Sequence, residues 1–254
     1  MKSRTSKSNN LIYGARAVIE AIGAGRTLDK VLLRRELDNE LRKEVGQLAR
    51  EKNIPVQTVP PETLERMAPG ANHQGVIAIT AVVTFLDLEQ ILLAHEGAEQ
   101  APAFILLDQV SDVRNFGAIS RTAECMGVNA IIIPEEGAAR VNADAMKVSA
   151  GALNHLAICR VRNVRDAVHL LQAYGVRVFA CTEKAADSVF SADLTGPSCF
   201  VFGSESKGIS KSVLKSADRL VAIPMQGKIA SLNVSVSAGM VLMEAIRQRH
   251  HSSS

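Results

Sequence analysis

From Phe104 onward the chain repeats a single pattern. Short apolar runs, Phe104–Leu107, Ala130–Pro134, Leu156–Val161, Val176–Cys181 and Cys199–Phe202, are separated by stretches with helical spacing at Asn115–Cys125, Asp144–Ala150 and Val164–Ala173. A strand with one wet face alternates apolar and polar residues, and these runs do not. Extended runs that are apolar on both faces and regularly interrupted by helices predict an α/β fold with a mainly parallel sheet, covered on both sides. Ligands in such folds sit beyond the carboxyl ends of the strands, so the loops that follow the apolar runs are the places to search.

The first third of the chain is organised differently. Residues 1–10 are polar and Ser-rich and are expected to form a disordered tail. Residues 11–80 read as a small α/β unit. Its helices are expected at Ala15–Ile22, Glu36–Lys52 and after Pro60-Pro61-Glu62, and its strands at Lys30–Leu33, Val56–Val59 and Gly75–Thr80. Residues 81–100 turn acidic, with a short helix expected at Leu88–His95, and make the best linker. The second domain then spans 101–249.

Composition excludes several function classes. The apolar share of 47% and charged share of 22% describe a folded chain, and a net charge of +3 does not by itself imply nucleic acid. No apolar stretch is long enough for a membrane span, and the N-terminal residues lack the apolar core of a secretory signal, so the expected setting is cytoplasmic with no membrane partner. Cys125, Cys159, Cys181 and Cys199 are widely spaced beside apolar residues, as free thiols are, and no metal site is expected. Without tryptophan and with 4% aromatics, broad base-stacking platforms are excluded too.

Three loops carry the candidate chemistry. The first runs from Asp108 into a helix, with Asn115 as a capping amide, Gly117 in the first turn and Arg121 further along; the same residues serve equally as an N-cap, a packing glycine and a solvated arginine. The second, Gly203-Ser204-Glu205-Ser206-Lys207-Gly208, fits neither the dinucleotide fingerprint nor a P-loop. The third follows the strand Leu220–Pro224 and leads through Ser231 and Asn233, both natural caps, into a small-residue helix at Val234–Arg247 that suits a core or a two-fold interface equally. In the small unit, Gly14, Arg16, His73 and Gln74 are candidates for RNA contact, the plain alternative being a polar turn before a strand.

Taken in order, Asn115-x-Gly117 with Arg121, Phe202 through Ile209, and Ile223-Pro224-Met225 through Ser231-Leu232-Asn233-Val234-Ser235 resemble the three motifs of the SpoU (TrmH) branch of the SPOUT methyltransferases. Residues 12–80 resemble the ribosomal-protein-like (L30e/L7Ae-like) substrate-binding domain of the subgroup that methylates a guanosine ribose in large-subunit rRNA. The resemblance implies a deep trefoil knot in the second domain, an exception to ordinary connection rules that no pattern argument would select. It implies S-adenosyl-methionine as cofactor, held by Thr182, Gly203, Ile223, Met225 and Leu232, and transfer of its methyl to a ribose 2′-oxygen. Asn115, Arg121, Glu205, Ser231 and Asn233 become the catalytic candidates, and Arg114 joins the RNA-contacting ones, with Arg140, Lys147, Arg160, Arg162 and the N-terminal basic residues as further phosphate contacts. The implied assembly is a homodimer on large-subunit rRNA. A tRNA ribose methyltransferase and a noncatalytic RNA-binding or ribosome-assembly protein of the same fold are the alternatives. Ser206 departs from the subgroup, which often has glycine there.

Overall fold

The computed structural model describes residues 10–229 and 231–252. The expected tail, with Lys2, Arg4 and Lys7, therefore lies outside the described residues apart from Asn10. By its internal contacts the chain divides into two compact units, Met1–Thr84 and Phe85–Ser254.

The first unit is built from β1 (Leu11–Tyr13), α1 (Ala15–Gly23), β2 (Leu28–Arg34), α2 (Asn39–Glu51), β3 (Val56–Val59), α3 (Pro61–Met67) and β4 (Val76–Thr80). Its sheet order is β1-β4-β2-β3, with only the β2–β3 pair parallel. Adjacent residues of β2 explain why the sheet is covered twice. Leu33 packs with Val18, Val45 and Val76 under α1 and α2, while Leu32 packs with Val59, Leu64 and Ile77 under α3. Strand β1 escaped the sequence reading. It is three residues long and is defined by antiparallel pairing to β4, a partner more than sixty residues away that local pattern does not announce.

The second unit contains β5 (Phe85–Leu86), α4 (Leu88–Ala94), β6 (Ala103–Asp108), α5 (Val113–Cys125), β7 (Ala130–Pro134), α6 (Ala143–Val148), β8 (Ala157–Val161), α7 (Val164–Ala173), β9 (Arg177–Cys181), β10 (Ser198–Gly203), α8 (Lys211–Ser216), β11 (Arg219–Val221) and α9 (Val234–Ser252). Its seven strands run in the order β11-β9-β10-β6-β7-β8-β5, and every pairing is parallel. Phe104, Leu106, Ile132, Val178 and Val201 enter one core cluster, and the residues between them, such as Ile105, Leu107, Ile131, Phe179 and Phe200, are also buried. Both faces are dry, which is why the strands show no alternation. The stretch expected to be a linker contributes an edge strand and a helix to this unit: Phe85–Leu86 pair with Ile158 and Cys159, and Arg160 lies over the Phe85 ring at 3.4 Å. The last strand is shorter than expected, ending at Val221, since Ala222 makes only an isolated bridge to Ser188 and residues 223–229 form no strand. Among the described residues no helix is long and apolar enough to cross a membrane.

The chain fills one side of the sheet with β7 and β8 and then returns to fill the other with β10, β9 and β11. The direction of filling reverses between β6 and β10, which puts the carboxyl ends of those two strands, Asp108 and Gly203, side by side in register. That is the switch point at which open parallel sheets place ligands.

Candidate active site

Helix α5 begins two residues earlier than the sequence suggested. Asp112, in extended conformation, accepts hydrogen bonds from the backbone N–H groups of Arg114 (2.8 Å) and Asn115 (2.9 Å), so it is the cap. Asn115 is thereby the third helical residue and not the capping amide, and its side chain is released for other contacts. Gly117 packs: a Cβ there would lie 2.7 Å from the Val148 side chain of α6.

The loop after β10 folds back on itself. Ser204 and Gly208 form a bridge in which Gly208 N–H donates to the Ser204 carbonyl at 2.8 Å, and the Ser204 hydroxyl accepts from Lys207 N–H at 3.2 Å. Gly203 has no room for a side chain, since a Cβ would sit 2.1 Å from the Gly208 carbonyl carbon and 2.3 Å from Ile209 N. The left-handed residue of the loop is Gly208 (φ +67), whereas Ser206 is not among the positive-φ residues, so serine at that position costs the backbone nothing. The far end of the loop is pinned by Asp108, a buried carboxylate that sequence reasoning missed, whose Oδ2 accepts from Ser210 N–H at 2.7 Å.

Of the two expected caps for α9, Asn233 does the capping. Its Oδ1 accepts from Ser235 N–H at 2.9 Å, whereas Ser231 lies two residues further out, exposed. The other end of the Asn233 amide faces the first two loops. Its Nδ2 donates to Glu205 Oε1 at 2.6 Å and to Asn115 Oδ1 at 3.0 Å, and Asn115 Nδ2 donates to the same Glu205 oxygen at 3.2 Å. Three expected site residues from three segments thus close a polar triangle. Arg121 is outside it: exposed on α5, its side chain makes no hydrogen bond or ion pair with any described residue.

Two adjoining clefts open beside this triangle. One is lined by Thr182, Ile223, Met225, Ser231 and Leu232, the other by Thr182, Gly203, Glu205, Lys207, Ser231 and Leu232, and Cys181 borders both. All five residues expected to hold a cofactor therefore line connected space. Among the described residues the backbone N–H groups of Ile223, Met225 and Leu232, all residues of the lining, donate no hydrogen bond and are available to a ligand. This combination suits an uncharged heterocycle with acceptor nitrogens together with a polar tail. Burial pushes the Cys181 thiol up, which keeps it neutral and removes it as a nucleophile. Lys184, also on the second cleft, gave no signal in the sequence beyond following a strand.

In the first unit Gly14, Arg16, His73 and Gln74 gather at one end of the sheet. Gln74 Oε1 accepts from Ala15 N–H at the start of α1 (3.2 Å), and His73 Nδ1 accepts from Gly75 N–H (3.0 Å). These two side chains shape the turn itself. Arg114 belongs to the second unit and is exposed, while Arg162 lies 3.7 Å from Glu135. All four cysteines are free, and among the described residues no group of three or more His, Cys, Asp or Glu is arranged to hold a metal ion.

Both units have counterparts among known proteins. Residues 102–243 match the model of the SpoU rRNA methylase family, and residues 11–85 match that of an RNA 2′-O ribose methyltransferase substrate-binding domain. The chain is 36% identical over 247 residues to the 23S rRNA (guanosine-2′-O-)-methyltransferase RlmB of Vibrio parahaemolyticus, covering 95% of this chain and 98% of that one. Among solved structures it resembles the SpoU methyltransferase AviRb of Streptomyces viridochromogenes in complex with AdoMet, with TM-score 0.60, 27% identity and coverage of 95% and 90%. It also resembles a TrmH/SpoU tRNA modifying enzyme of A. aeolicus, with TM-score 0.56 and 29% identity over 65% of this chain and 82% of that one. The chain belongs to the SpoU rRNA methylase family and is an AdoMet-dependent RNA methyltransferase.

Proposed function

We propose that this protein methylates the 2′-hydroxyl of a guanosine ribose in large-subunit rRNA. The observation that carries the reading is the Asn115–Glu205–Asn233 triangle at the mouth of the clefts lined by Thr182, Gly203, Ile223, Met225 and Leu232. The unpaired N–H groups of Ile223, Met225 and Leu232 and the side-chain-free approach at Gly203 fit the adenosine and methionine parts of AdoMet. When bound, AdoMet supplies an electrophilic methyl carbon on a sulfonium.

The protein's own residues have two tasks, holding the ribose oxygen in line and easing loss of its proton. Arginine stays protonated in proteins, so Arg121 is not the base; unpaired and exposed, it holds the neighbouring phosphate and stabilises negative charge growing on the oxygen. The triangle fixes Glu205 between two amide donors, and Ser231 completes the cleft wall. Gly14, Arg16, His73 and Gln74 contact RNA from the first unit, and Arg114 does so from the second.

The rRNA assignment is supported by a relative that matches both units and is named for 23S rRNA, whereas the tRNA modifying enzyme matches 65% of the chain. The fold reading extends to the trefoil knot and to an L30e/L7Ae-like first unit. For the knot, support comes from α9, which follows the loop at 222–233 and packs back against α5 and β10. Homodimer formation is supported by Val236, Met240 and Met243, an exposed apolar stripe along α9. Mass-spectrometric mapping of rRNA and tRNA from cells with and without the protein tests the whole. Loss of one guanosine ribose methyl from large-subunit rRNA is the expected result. An intact rRNA map with a missing tRNA methyl overturns the substrate, and two intact maps overturn the activity.

A further inference from the structure

Arg34, the last residue of β2, is ordered from every side except at its charge. Its N–H donates to the Gly75 carbonyl at 2.8 Å, and its own carbonyl accepts from Arg42 Nη2 at 2.8 Å. Arg42 also bonds the Arg35 carbonyl and the Thr58 hydroxyl, which fixes the strand end. The Arg34 side chain lies along Gly75, whose left-handed conformation (φ +79) leaves room for it: a Cβ at Gly75 would stand 3.2 Å from Arg34 Cβ and 2.8 Å from Leu37 Cδ1. With this packing the Arg34 Nε is buried and unpartnered, the one such side-chain nitrogen or oxygen among the described residues. Among the described residues the terminal nitrogens Nη1 and Nη2 find no hydrogen-bond or ion-pair partner either, and neither is fully buried, so both stay accessible.

A buried, unpaired donor of this kind costs stability and calls for an explanation. Among the described residues no carboxylate pairs with it. The Asp38 carboxylate is committed to Glu40 N–H and Leu41 N–H, and Glu65 faces His73 at 3.7 Å. Holding Nε in place fixes the guanidinium plane and presents a rigid two-nitrogen fork outward, the geometry that matches a phosphate. The turn against which Arg34 packs is the one that carries His73 and Gln74, so the fork borders the end of the unit where Gly14 and Arg16 lie. The geometry points to Arg34 as an RNA phosphodiester subsite in the first unit, an inference that rests on the RNA methyltransferase reading. It positions the RNA and carries no base information.

The test uses the full-length protein and an unmethylated transcript of large-subunit rRNA, with affinity measured across a salt series. Arg34→Met keeps the apolar stem against Gly75 and Leu37 and removes the orphan nitrogen. Its melting temperature is expected to equal or exceed that of the wild type, with AdoMet affinity unchanged and RNA affinity about tenfold weaker. The slope of log affinity against log salt is expected to fall by about 0.7–0.9, the signature of one lost phosphate contact. Arg34→Lys retains the charge without the fork, so it keeps the slope and loses part of the affinity. Unchanged RNA affinity and slope in Arg34→Met overturn the inference, as does an equal loss in Arg50→Met, an exposed arginine on α2 that reports net charge alone. A lowered melting temperature with intact RNA binding assigns Arg34 a structural role and also overturns it. Methyl transfer by the wild type, followed in parallel on rRNA and tRNA transcripts, tests the substrate reading independently of the ratio of variant to wild type.

Discussion

Replacing Gly203 with alanine puts one methyl group where the structure has none to spare. The new Cβ would lie 2.1 Å from the Gly208 carbonyl carbon, about 1.3 Å inside the 3.4 Å at which ordinary contact begins. The obstructing atoms are backbone, so rotamer change gives no relief. They are also anchored, because Ile209 is buried and Ser210 N–H is held by Asp108. The displacement therefore falls on residues 204–207, the segment that carries Glu205. Overpacking of this kind costs roughly 1–3 kcal/mol, which for a unit of this size lowers the melting temperature by about 2–12 °C. Function suffers more than stability, since a shift of about 1 Å in a catalytic arrangement costs roughly 100-fold in rate. Calorimetric titration with AdoMet and single-turnover methyl transfer are the assays, with Gly208→Ala as the comparison. Gly208 has positive φ but nothing within 4 Å of a new Cβ, so that variant bears only the backbone cost of about 1–2 kcal/mol. Wild-type AdoMet affinity and turnover in Gly203→Ala refute the reasoning, and so does greater damage from Gly208→Ala.

Three further outcomes follow from the geometry. Asn233→Asp preserves a good helix cap but turns the donor facing Glu205 Oε1 and Asn115 Oδ1 into an acceptor; turnover should fall at least tenfold with little change in melting temperature, and a matched loss of both would show the triangle to be structural. The Glu244 carboxyl, nearly buried, is held below its usual 4.5, chiefly by its hydrogen bonds from Arg247, so the stability it contributes is full above pH 4.5 and is lost as pH falls through the lowered value. Denaturant melts should accordingly show wild type exceeding Glu244→Gln at pH 7 and the gap closing on acidification; a gap that widens contradicts the sign. Native thiol titration should find Cys125 reacting first, since it is exposed, whereas burial pushes Cys159 up to about 12 and raises Cys199 further, so these two should react only on unfolding.

The central sheet was legible because strands buried on both faces leave an unbroken apolar trace: Phe104–Leu107 and Ala130–Pro134 stand almost where the sequence put them. Short edge strands leave no such trace, and Leu11–Tyr13 and Phe85–Leu86 exist through partners far along the chain. The cap of α5 was misplaced since Asp112 and Asn115 are both good caps, and only the backbone turn at Asp112 decides between them. The triangle was beyond local pattern altogether. Asn115 and Glu205 are 90 residues apart, and only family resemblance put them on one list before the fold put them in contact. Asp108 and Arg34 were passed over for the opposite reason, because a charged residue closing a strand looks ordinary until its side chain is seen to be buried or fixed.

The far end of α9 bears on how the enzyme is made. Arg249 donates to three backbone carbonyls, those of Ala101, Leu194 and Gly196, and Gln248 exchanges hydrogen bonds with Ala192 and Leu194. The helix whose first residue follows Asn233 is thus moored at its opposite end to chain synthesised up to 148 residues earlier. On a ribosome the first unit and the strands through β10 emerge before that mooring exists, and domains fold as they appear. The methyl-donor cleft must therefore stay unfinished until translation has passed Arg249. A nascent chain stalled short of that point would carry its substrate-binding unit without a finished cleft, free to occupy RNA but unable to modify it.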